Sequence, residues 1–360
     1  MRSCRTLSLV VGLGGALVLM ACGSATPPAA PQSARPTASS PAQAAFGGDA
    51  QAAPAASSSA APRAQLKLTY PSGGVASLQT FAARDGGFFE RNGLDVETLL
   101  LTSDRAMAAV ASGDIHYVGG VGPASVAATA LGLPLRAVWV AATSPAYTVF
   151  ARPEIRTPEE LRGKRMGVPA LGGTAAVVTG MALKHFGLET GRDVALAQLE
   201  GDPLITESLR SGVIDAAPLG APFSLAVRQE GFTALVNVAS LVQMPQGGLT
   251  VTLDKLNHER AEVRRVIRAL NEAQLWILQS PEDAISMIQT TLNVDRALAQ
   301  GTYDELVPTI QGKGLVTREG IDNILQAVRD EGRIGPQIRY EDVADGSLAE
   351  QDARELGLIP

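Results

Sequence analysis

The chain has 360 residues, 46% of them hydrophobic, which is enough for one large or two smaller hydrophobic cores. Aromatic residues make up only 4%, so Ala, Leu and Val must supply most of that core. The formal net charge is −6 and no long basic run occurs, which argues against a nucleic-acid-binding protein because such a surface must neutralise phosphates.

The first 21 residues are typical of an export signal peptide. A short positive start, MRSCR, precedes an apolar run that ends in LMAC at residues 19–22. This ending resembles a bacterial lipoprotein box, and the resemblance implies that Cys22 becomes the lipidated first residue of the mature chain. An ordinary cleaved signal with an incidental cysteine remains the alternative. Cys4 lies in the removed segment, so the mature chain is expected to hold no disulfide.

Residues 22–64 form a tether that is rich in Ala, Pro and Ser. They contain almost no charge and almost no large apolar side chain. Such a segment cannot bury enough surface to offset the entropy of ordering it. We therefore predict a disordered linker that holds the folded part away from the membrane.

The folded part begins near Gln65 and alternates strands with helices, a pattern that predicts mostly parallel, doubly wound sheets. A first block has predicted strands at 66–70, 94–101, 115–120 and 135–142, with helices at 75–89, 102–113 and 123–131. A second block has strands at 165–170 and 193–200, with helices at 174–188 and 201–212. Asp202 is predicted to be the N-cap of the last of these helices, followed by Pro203 at its first position.

The second block repeats the first. A shift of 99 positions aligns SGDIHYVGGVGPASVA (112–127) with SGVIDAAPLGAPFSLA (211–226) and brings Gly73 and Gly74 onto Gly172 and Gly173. The same order of elements recurs at that shift, which predicts two similar α/β lobes. The predicted division is 65–148 with 252–360 for the first lobe and its C-terminal helices, and 149–251 for the second lobe. The chain turns helical after residue 256, and the first of these later helices carries one apolar stripe. The stripe consists of Val263, Val266, Ile267, Leu270, Ala273 and Ile277.

Motifs for catalysis are missing from the sequence. No phosphate-binding Gly-four-residues-Gly-Lys motif and no Gly-x-Ser-x-Gly elbow occurs. His116, His185 and His258 have no metal-ligating spacing, so packing or surface roles are favoured for each. We therefore expect a protein that is not an enzyme and that needs neither a metal nor a cofactor.

Small residues mark the turns that precede several helices. Helix N-termini present free N–H groups and partial positive charge, and small residues let a ligand approach them. In a doubly wound sheet these turns meet at the carboxyl edge of the strands. A tight turn without a ligand is the alternative at each single position. The candidate turn residues are Ser72, Gly73, Gly74, Ser103, Gly122, Gly173, Thr174 and Ala221.

Several segments of residues 66–332 resemble the solute-binding proteins of ABC importers, in the group that binds nitrate, alkanesulfonates, taurine and pyrimidine precursors. The resemblance is carried by GGFFERNGLDVE, AAVASGDIHYVGGVGPA, LRSGVIDAA, GLVTREGIDNILQ and above all TPEELRGKRMGV. It implies the two-lobed periplasmic-binding-protein fold, with a mixed, mostly parallel sheet in each lobe and the ligand cleft between them. It also implies that the turn residues named above contact the ligand and that Tyr147, between the lobes, closes over it.

The implied function is that of a solute-binding protein, lipid-anchored through Cys22 on the outer face of the cytoplasmic membrane. The expected partners are a small organic anion or heterocycle and the permease and ATPase subunits of an importer, and a monomer is expected. Arg84 and Arg105 are the candidate partners for an anion, although both fit exposed helix faces. An enzyme of pyrimidine-precursor synthesis on the same scaffold and a ligand sensor without transport remain as alternatives.

Overall fold

The computed structural model describes residues 63–310 and 313–360. The predicted signal peptide, the lipidation residue Cys22 and the tether up to residue 62 lie outside the described residues. None of the helices in the two described ranges combines the length and the apolar character that crossing a bilayer requires.

A first five-stranded sheet forms the first lobe, with the strand order β2-β1-β3-β10-β4. Strands β1, β2 and β3 are parallel, whereas β10 runs antiparallel to both of its neighbours. The strands are β1 (Ala64–Tyr70), β2 (Leu94–Leu100), β3 (Tyr117–Val118), β4 (Leu135–Trp139) and β10 (Leu249–Thr252).

A second five-stranded sheet forms the second lobe and repeats this topology, with the order β7-β6-β8-β5-β9. Strand β5, like β10, enters antiparallel between the third and fourth strands of its block. In each sheet, the crossover strand that arrives from the other lobe therefore occupies the fourth place in the strand order. The strands are β5 (Thr148–Ala151), β6 (Arg165–Val168), β7 (Ala195–Gln198), β8 (Ala216–Leu219) and β9 (Thr233–Asn237). The prediction of two mixed, mostly parallel α/β lobes is confirmed.

Helices flank both sheets. Those of the two repeated blocks are α1 (Leu78–Asp85), α2 (Phe88–Arg91), α3 (Ser103–Ala111), α4 (Pro123–Ala130), α5 (Thr174–His185), α6 (Asp202–Arg210) and α7 (Phe223–Gln229). Those that follow β10 are α8 (Leu253–His258), α9 (Arg260–Gln279), α10 (Pro281–Leu292), α11 (Arg296–Leu306), α12 (Arg318–Asp330), α13 (Tyr340–Val343) and α14 (Ser347–Glu355).

The main core of the first lobe lies between its sheet and α9. The predicted apolar stripe of α9 is completely buried there, together with residues such as Leu68 and Phe81. Burying each such Val, Leu or Ile side chain contributes about 1.5–3 kcal/mol. A second cluster joins the lobes, because Val126 of α4, Val177 of α5 and Ile324 of α12 belong to one continuous apolar contact network.

Two crossing segments, residues 140–147 and 238–248, connect the lobes. They run side by side, since Ala142 and Gln246 exchange backbone hydrogen bonds of 3.1 and 3.0 Å. Residues 249–251, which the predicted division assigns to the second lobe, pair in the first sheet as part of β10. The hydrogen bonds of β10 to β3 and β4 determine this placement, and hydrophobic periodicity alone does not contain that pairing.

Candidate functional site

The turns after the parallel strands meet between the two lobes. In the first lobe they follow β1, β2 and β3 and carry Ser72, Gly73, Gly74, Ser103 and Gly122; in the second they follow β6 and β8 and carry Gly173, Thr174 and Ala221. Carboxyl ends of parallel strands share one edge of a sheet, so each lobe presents its turns together. Several close contacts between the two sets of turns describe a closed arrangement.

The first-lobe turn at Gly74 lies against the second-lobe turn at Ala221. The Val75 N–H donates to the Ala221 carbonyl at 3.0 Å, directly across the two lobes. A methyl group on Gly74 would lie 3.1 Å from that carbonyl oxygen and 3.5 Å from Oδ2 of Asp202. Glycine at position 74 therefore permits the close approach of the two backbones.

A second contact joins Gly122 to the first turn of the second lobe. A methyl group on Gly122 would lie 2.6 Å from Oγ1 of Thr174, closer than a carbon atom and an oxygen atom pack. The position that a methyl group would take on Gly173 lies 3.6 Å from Oγ of Ser103. In contrast, a methyl group on half-buried Gly73 would meet no atom within 4 Å, so free space remains beside this turn.

Asp202 also lies at this contact, and the prediction that it caps its helix is wrong. Gly201 is the N-cap, and Asp202 is the first residue of α6. Its side chain is buried, with 7% of the residue exposed, and Oδ2 approaches the Gly74 turn of the other lobe. Burial raises the pKa of Asp202 to about 6, and a hydrogen bond from the Ser72 hydroxyl opposes that rise in pKa.

The internal repeat predicts that Asp202 lies at a turn between the lobes, although the local sequence pattern does not. Helices α3 and α6 each have nine residues and begin at Ser103 and Asp202, 99 positions apart. Asp202 is thus the equivalent of Ser103, which the sequence did single out. In the sequence, an acidic residue directly before Pro203 is typical of a helix N-cap. This local pattern does not indicate that Asp202 lies opposite a turn of the other lobe.

Tyr147 lies on the first crossing segment beside this contact. It is half-buried, and burial raises the pKa of its hydroxyl, with the nearby negative charge of Asp202 as a further cause. The Gln246 amide group of the second crossing segment lies beside Tyr147 and acts in the opposite direction on this pKa. Gln246 itself is buried, and its Oε1 accepts from the Ala146 N–H at 2.7 Å.

The structure places both candidate basic side chains away from the buried contact. Arg84 pairs with Asp85 at 2.6 Å and donates to Thr98, at the far end of α1. Arg105 forms an exposed ion pair with Glu200 of the other lobe. A different residue, Arg333, approaches the second-lobe turn, where it donates to the Gly172 carbonyl at 3.3 Å and contacts Glu331.

The indole of Trp139 belongs to the core. It is 1% exposed and donates from Nε1 to Oδ1 of Asn271 at 2.7 Å. The histidines make local contacts: His116 with Thr252, and His258 with Asp254. His185 packs edge-on against Phe186 at the end of α5.

Residues 76–284 match the model of the family described as NMT1/THI5 like. The chain belongs to the NMT1/THI5-like family. This match covers every strand of the two sheets except β1, and it ends within α10. The predicted relationship to this group of proteins is confirmed.

Known proteins of this type are similar over most of the folded chain. A protein of Brucella abortus strain 2308, whose name describes a candidate binding protein, is 26% identical over 226 residues, which cover 61% of this chain and 68% of that protein.

Two solved structures share the fold. One is the ligand-binding component of an ABC-type import system from Staphylococcus aureus, with a TM-score of 0.69 and 13% identity over 81% of this chain and all of that one. The other is the alkanesulfonate-binding protein SsuA from Xanthomonas axonopodis pv. citri bound to MOPS, with a TM-score of 0.67 and 20% identity over 79% of this chain and 99% of that one. The fold is that of the periplasmic binding proteins.

Proposed function

We propose that this NMT1/THI5-like protein is the solute-binding component of an ABC importer. It takes a small polar organic solute between its lobes, closes over it and delivers it to a permease. The observation that carries this proposal is that the turns of two repeated lobes meet, with the first turn of each lobe against the third turn of the other. The hydrogen bond between Val75 and Ala221 is the main contact of this kind. The paired crossing segments beside it form a hinge suited to opening and closing.

The site is suited to binding rather than to turnover. The groups that meet between the lobes are turn backbones, several hydroxyls and the Asp202 carboxylate. The hydroxyls are those of Ser72, Ser103, Tyr147 and Thr174. The relatives described above are named for binding or for import, which supports the same conclusion. We infer that the protein releases its ligand chemically unchanged.

Native mass spectrometry of the gently purified protein tests this function. We expect an adduct of one small molecule per chain, which disappears on denaturation and is chemically identical before and after incubation with the protein. Small-angle X-ray scattering should then show a more compact chain with the molecule than without it. If a solute binds and the scattering profile does not change, the lobes do not close over it. If the protein converts the solute chemically, the alternative of an enzyme is favoured.

We propose in addition that Cys22 is lipidated and anchors the chain on the outer face of the cytoplasmic membrane. The LMAC ending at residues 19–22 and the polar linker after it support this. Metabolic labelling with radioactive palmitate should label the wild-type chain in a bacterial host, whereas Cys22→Ala should remove the label and release the protein from the membrane fraction. Equal labelling of the two chains would rule out the anchor.

A further inference from the structure

Helix α11 brings the two lobes into contact at a place other than the facing turns and the crossing segments. One face of α11 belongs to the first-lobe core, where Ala299, Tyr303 and Leu306 are buried. The opposite face meets α7 of the second lobe, since a methyl group on Gly301 would lie 2.7 Å from Cδ1 of Leu225. Helix α11 is therefore part of the first lobe and also a surface on which the second lobe rests.

Glu305, on the face of α11 that meets α7, makes the polar contact. Ser224 of α7 is 1% exposed, and its hydroxyl donates to Oε2 of Glu305 at 3.4 Å. A hydroxyl removed from water needs an acceptor within the protein, and Glu305 supplies it from the other lobe. Burial raises the pKa of Glu305, while the positive charge of Arg228 on α7 opposes that rise. The carboxylate therefore interacts with both a hydroxyl and a cation of α7.

The internal repeat shows that this contact is specific to the second lobe. Ser224 is the equivalent of Ser125, 99 positions earlier in the first lobe. The Ser125 hydroxyl donates to the Gly122 carbonyl at 3.1 Å and accepts from the Gly122 N–H at 3.3 Å, so it closes its own turn. Ser224 donates instead to a helix of the other lobe. Equivalent serines thus bind a local partner in one lobe and a distant partner in the other.

The start of α7 and the interlobe turn before it form one unit. Ser224 lies three positions after Ala221, and its N–H donates to the Gly220 carbonyl at 3.0 Å. The Ala221 carbonyl in turn accepts from the Val75 N–H of the first lobe. A shift of Ser224 would therefore move the Ala221 carbonyl relative to Val75. The seating of α7 on α11 is linked in this way to the contact between the lobes.

We propose that Glu305 is a positioning residue: through Ser224, it holds the second-lobe turn at Ala221 against the first lobe in the closed arrangement. A change that weakens this contact lowers the closed fraction of the protein and, with it, the affinity for a solute that binds between closed lobes. The inference rests on the proposed function, because the effect on affinity requires such a solute.

Hydrogen exchange of the Val75 N–H, followed by NMR on the full chain, tests the proposal. We expect this N–H to exchange about three- to tenfold faster in Glu305→Ala than in wild type, the factor that corresponds to the loss of one hydrogen bond. Ser224→Ala should give a similar increase, and the double variant should exceed neither, because both changes act on one contact. Glu305→Gln keeps an acceptor oxygen and should stay within about twofold of wild type.

Asp304→Ala is the matched control on the same helix. Asp304 is exposed and accepts from Gln300 of α11 at 3.0 Å. This variant should show wild-type exchange at Val75. Native mass spectrometry should show that Glu305→Ala loses the co-purified solute on dilution, under conditions in which wild type, Glu305→Gln and Asp304→Ala retain it.

Three results would overturn the role of Glu305. They are unchanged exchange at Val75 in Glu305→Ala, additive effects of the Glu305 and Ser224 changes, and exchange in Glu305→Gln or Asp304→Ala as fast as in Glu305→Ala. These results leave the solute-binding function intact, and that function fails separately if wild type retains no small molecule. The exchange at Val75 needs no added solute, so it tests Glu305 in either case.

Discussion

Gly122 and Asp202 both lie between the lobes, and they contribute to the contact in different ways. Gly122 matters because of what it lacks: the second lobe comes so close that a side chain would collide with Thr174. Asp202 matters because of what it adds, a buried carboxylate at the contact. We expect Gly122 to limit how closely the lobes approach each other, and Asp202 to make the stability of the protein depend on pH. A test of each needs a different measurement.

Gly122→Ala should weaken ligand retention by preventing full closure. The backbone of Gly122 is extended, a conformation that Ala adopts without strain, so the chain should fold normally. The added methyl group would nevertheless lie 2.6 Å from Oγ1 of Thr174. We expect at least a tenfold loss of affinity, about 1.4 kcal/mol, for the co-purified solute, measured by its displacement in native mass spectrometry.

Gly120→Ala is the matched control for this prediction. A methyl group on Gly120 meets no atom within 4 Å, and it lies two positions earlier on the same turn. The Gly120→Ala variant should retain the solute as well as the wild-type protein does. Equal loss in both variants would mean that the turn, rather than the contact between the lobes, had been disturbed.

Asp202 should make the stability of the unliganded protein depend on pH. Its pKa rises from 3.8 to about 6 on burial, so between these values the folded chain holds a proton that the unfolded chain has released. The stabilisation is therefore present below about pH 4 and is lost as the pH rises through 6. The difference in free energy of unfolding between wild type and Asp202→Asn should fall by about 2 kcal/mol from pH 4 to pH 7.

Chemical denaturation at the two pH values measures this difference. Tyr147 is the titratable neighbour that senses Asp202, and its pKa is raised, so it stays neutral throughout this range. A difference between the two chains that does not change with pH would show that Asp202 is ionised and solvated in the folded protein.

At the scale of elements, the C-terminal helix α14 is held to α9 by a buried polar network. Asp352 has no exposed surface and accepts from Arg268 and from Nδ2 of Asn271, the latter at 2.8 Å. Asn271 in turn accepts from the indole of Trp139 on β4. One carboxylate thus connects α14, α9 and the edge strand of the first sheet. The helix contributes to the first lobe although its sequence lies far from that strand.

Asp352→Ala should destabilise the protein by about 1–3 kcal/mol, because it leaves the buried Asn271 amide without its acceptor. Arg268 keeps Glu355 as a partner. Glu350→Ala on the same helix is the control. Glu350 and Arg354 form an exposed pair at 3.6 Å, and such pairs contribute at most about 1 kcal/mol. Urea denaturation of both variants measures the difference. Similar small losses in both would show that α14 contributes little through Asp352.

At the scale of the whole molecule, two repeats of one topology face each other across paired crossing segments. The exposed pair of Arg105 and Glu200 connects α3 of the first lobe with the loop before α6 of the second. It lies at the rim of the contact, where water and salt screen it. It should favour closure without fixing it, since exposed ion pairs contribute about 0.2–1 kcal/mol.

Charge reversal at this rim should therefore shift the closing equilibrium by a small amount. Arg105→Glu should lower the affinity for the bound solute roughly two- to fivefold at low salt, because two acidic groups then oppose each other. The double variant with Glu200→Arg should recover most of the loss, and high salt should reduce both effects. Calorimetry in 20 and 500 mM NaCl makes the measurement. If the double variant does not recover affinity, the effect of Arg105 does not come from its ion pair with Glu200.

The sequence by itself determined the repeated plan and most of its strands and helices. Apolar periodicity and glycine-marked turns are local properties, and the shift of 99 positions aligned Gly122 with Ala221 before any contact was known. The stripe of α9 was likewise readable, because a helix that packs on a sheet needs one apolar face. Helices α8, α11, α13 and α14 were not predicted. Helices α8 and α13 have only 6 and 4 residues, which is too short for an apolar period to be recognised.

Only the tertiary structure decided what lies opposite each turn. The pairing of β10 with the first sheet, the approach of Asp202 to Gly74 and the remoteness of Arg84 all depend on contacts between residues far apart in the chain. Hydrogen bonding across sheets and the burial of charge are set by three-dimensional neighbours, which a local pattern does not encode. For this reason Asp202 reads as a helix cap in the sequence and lies, in the folded protein, between the lobes.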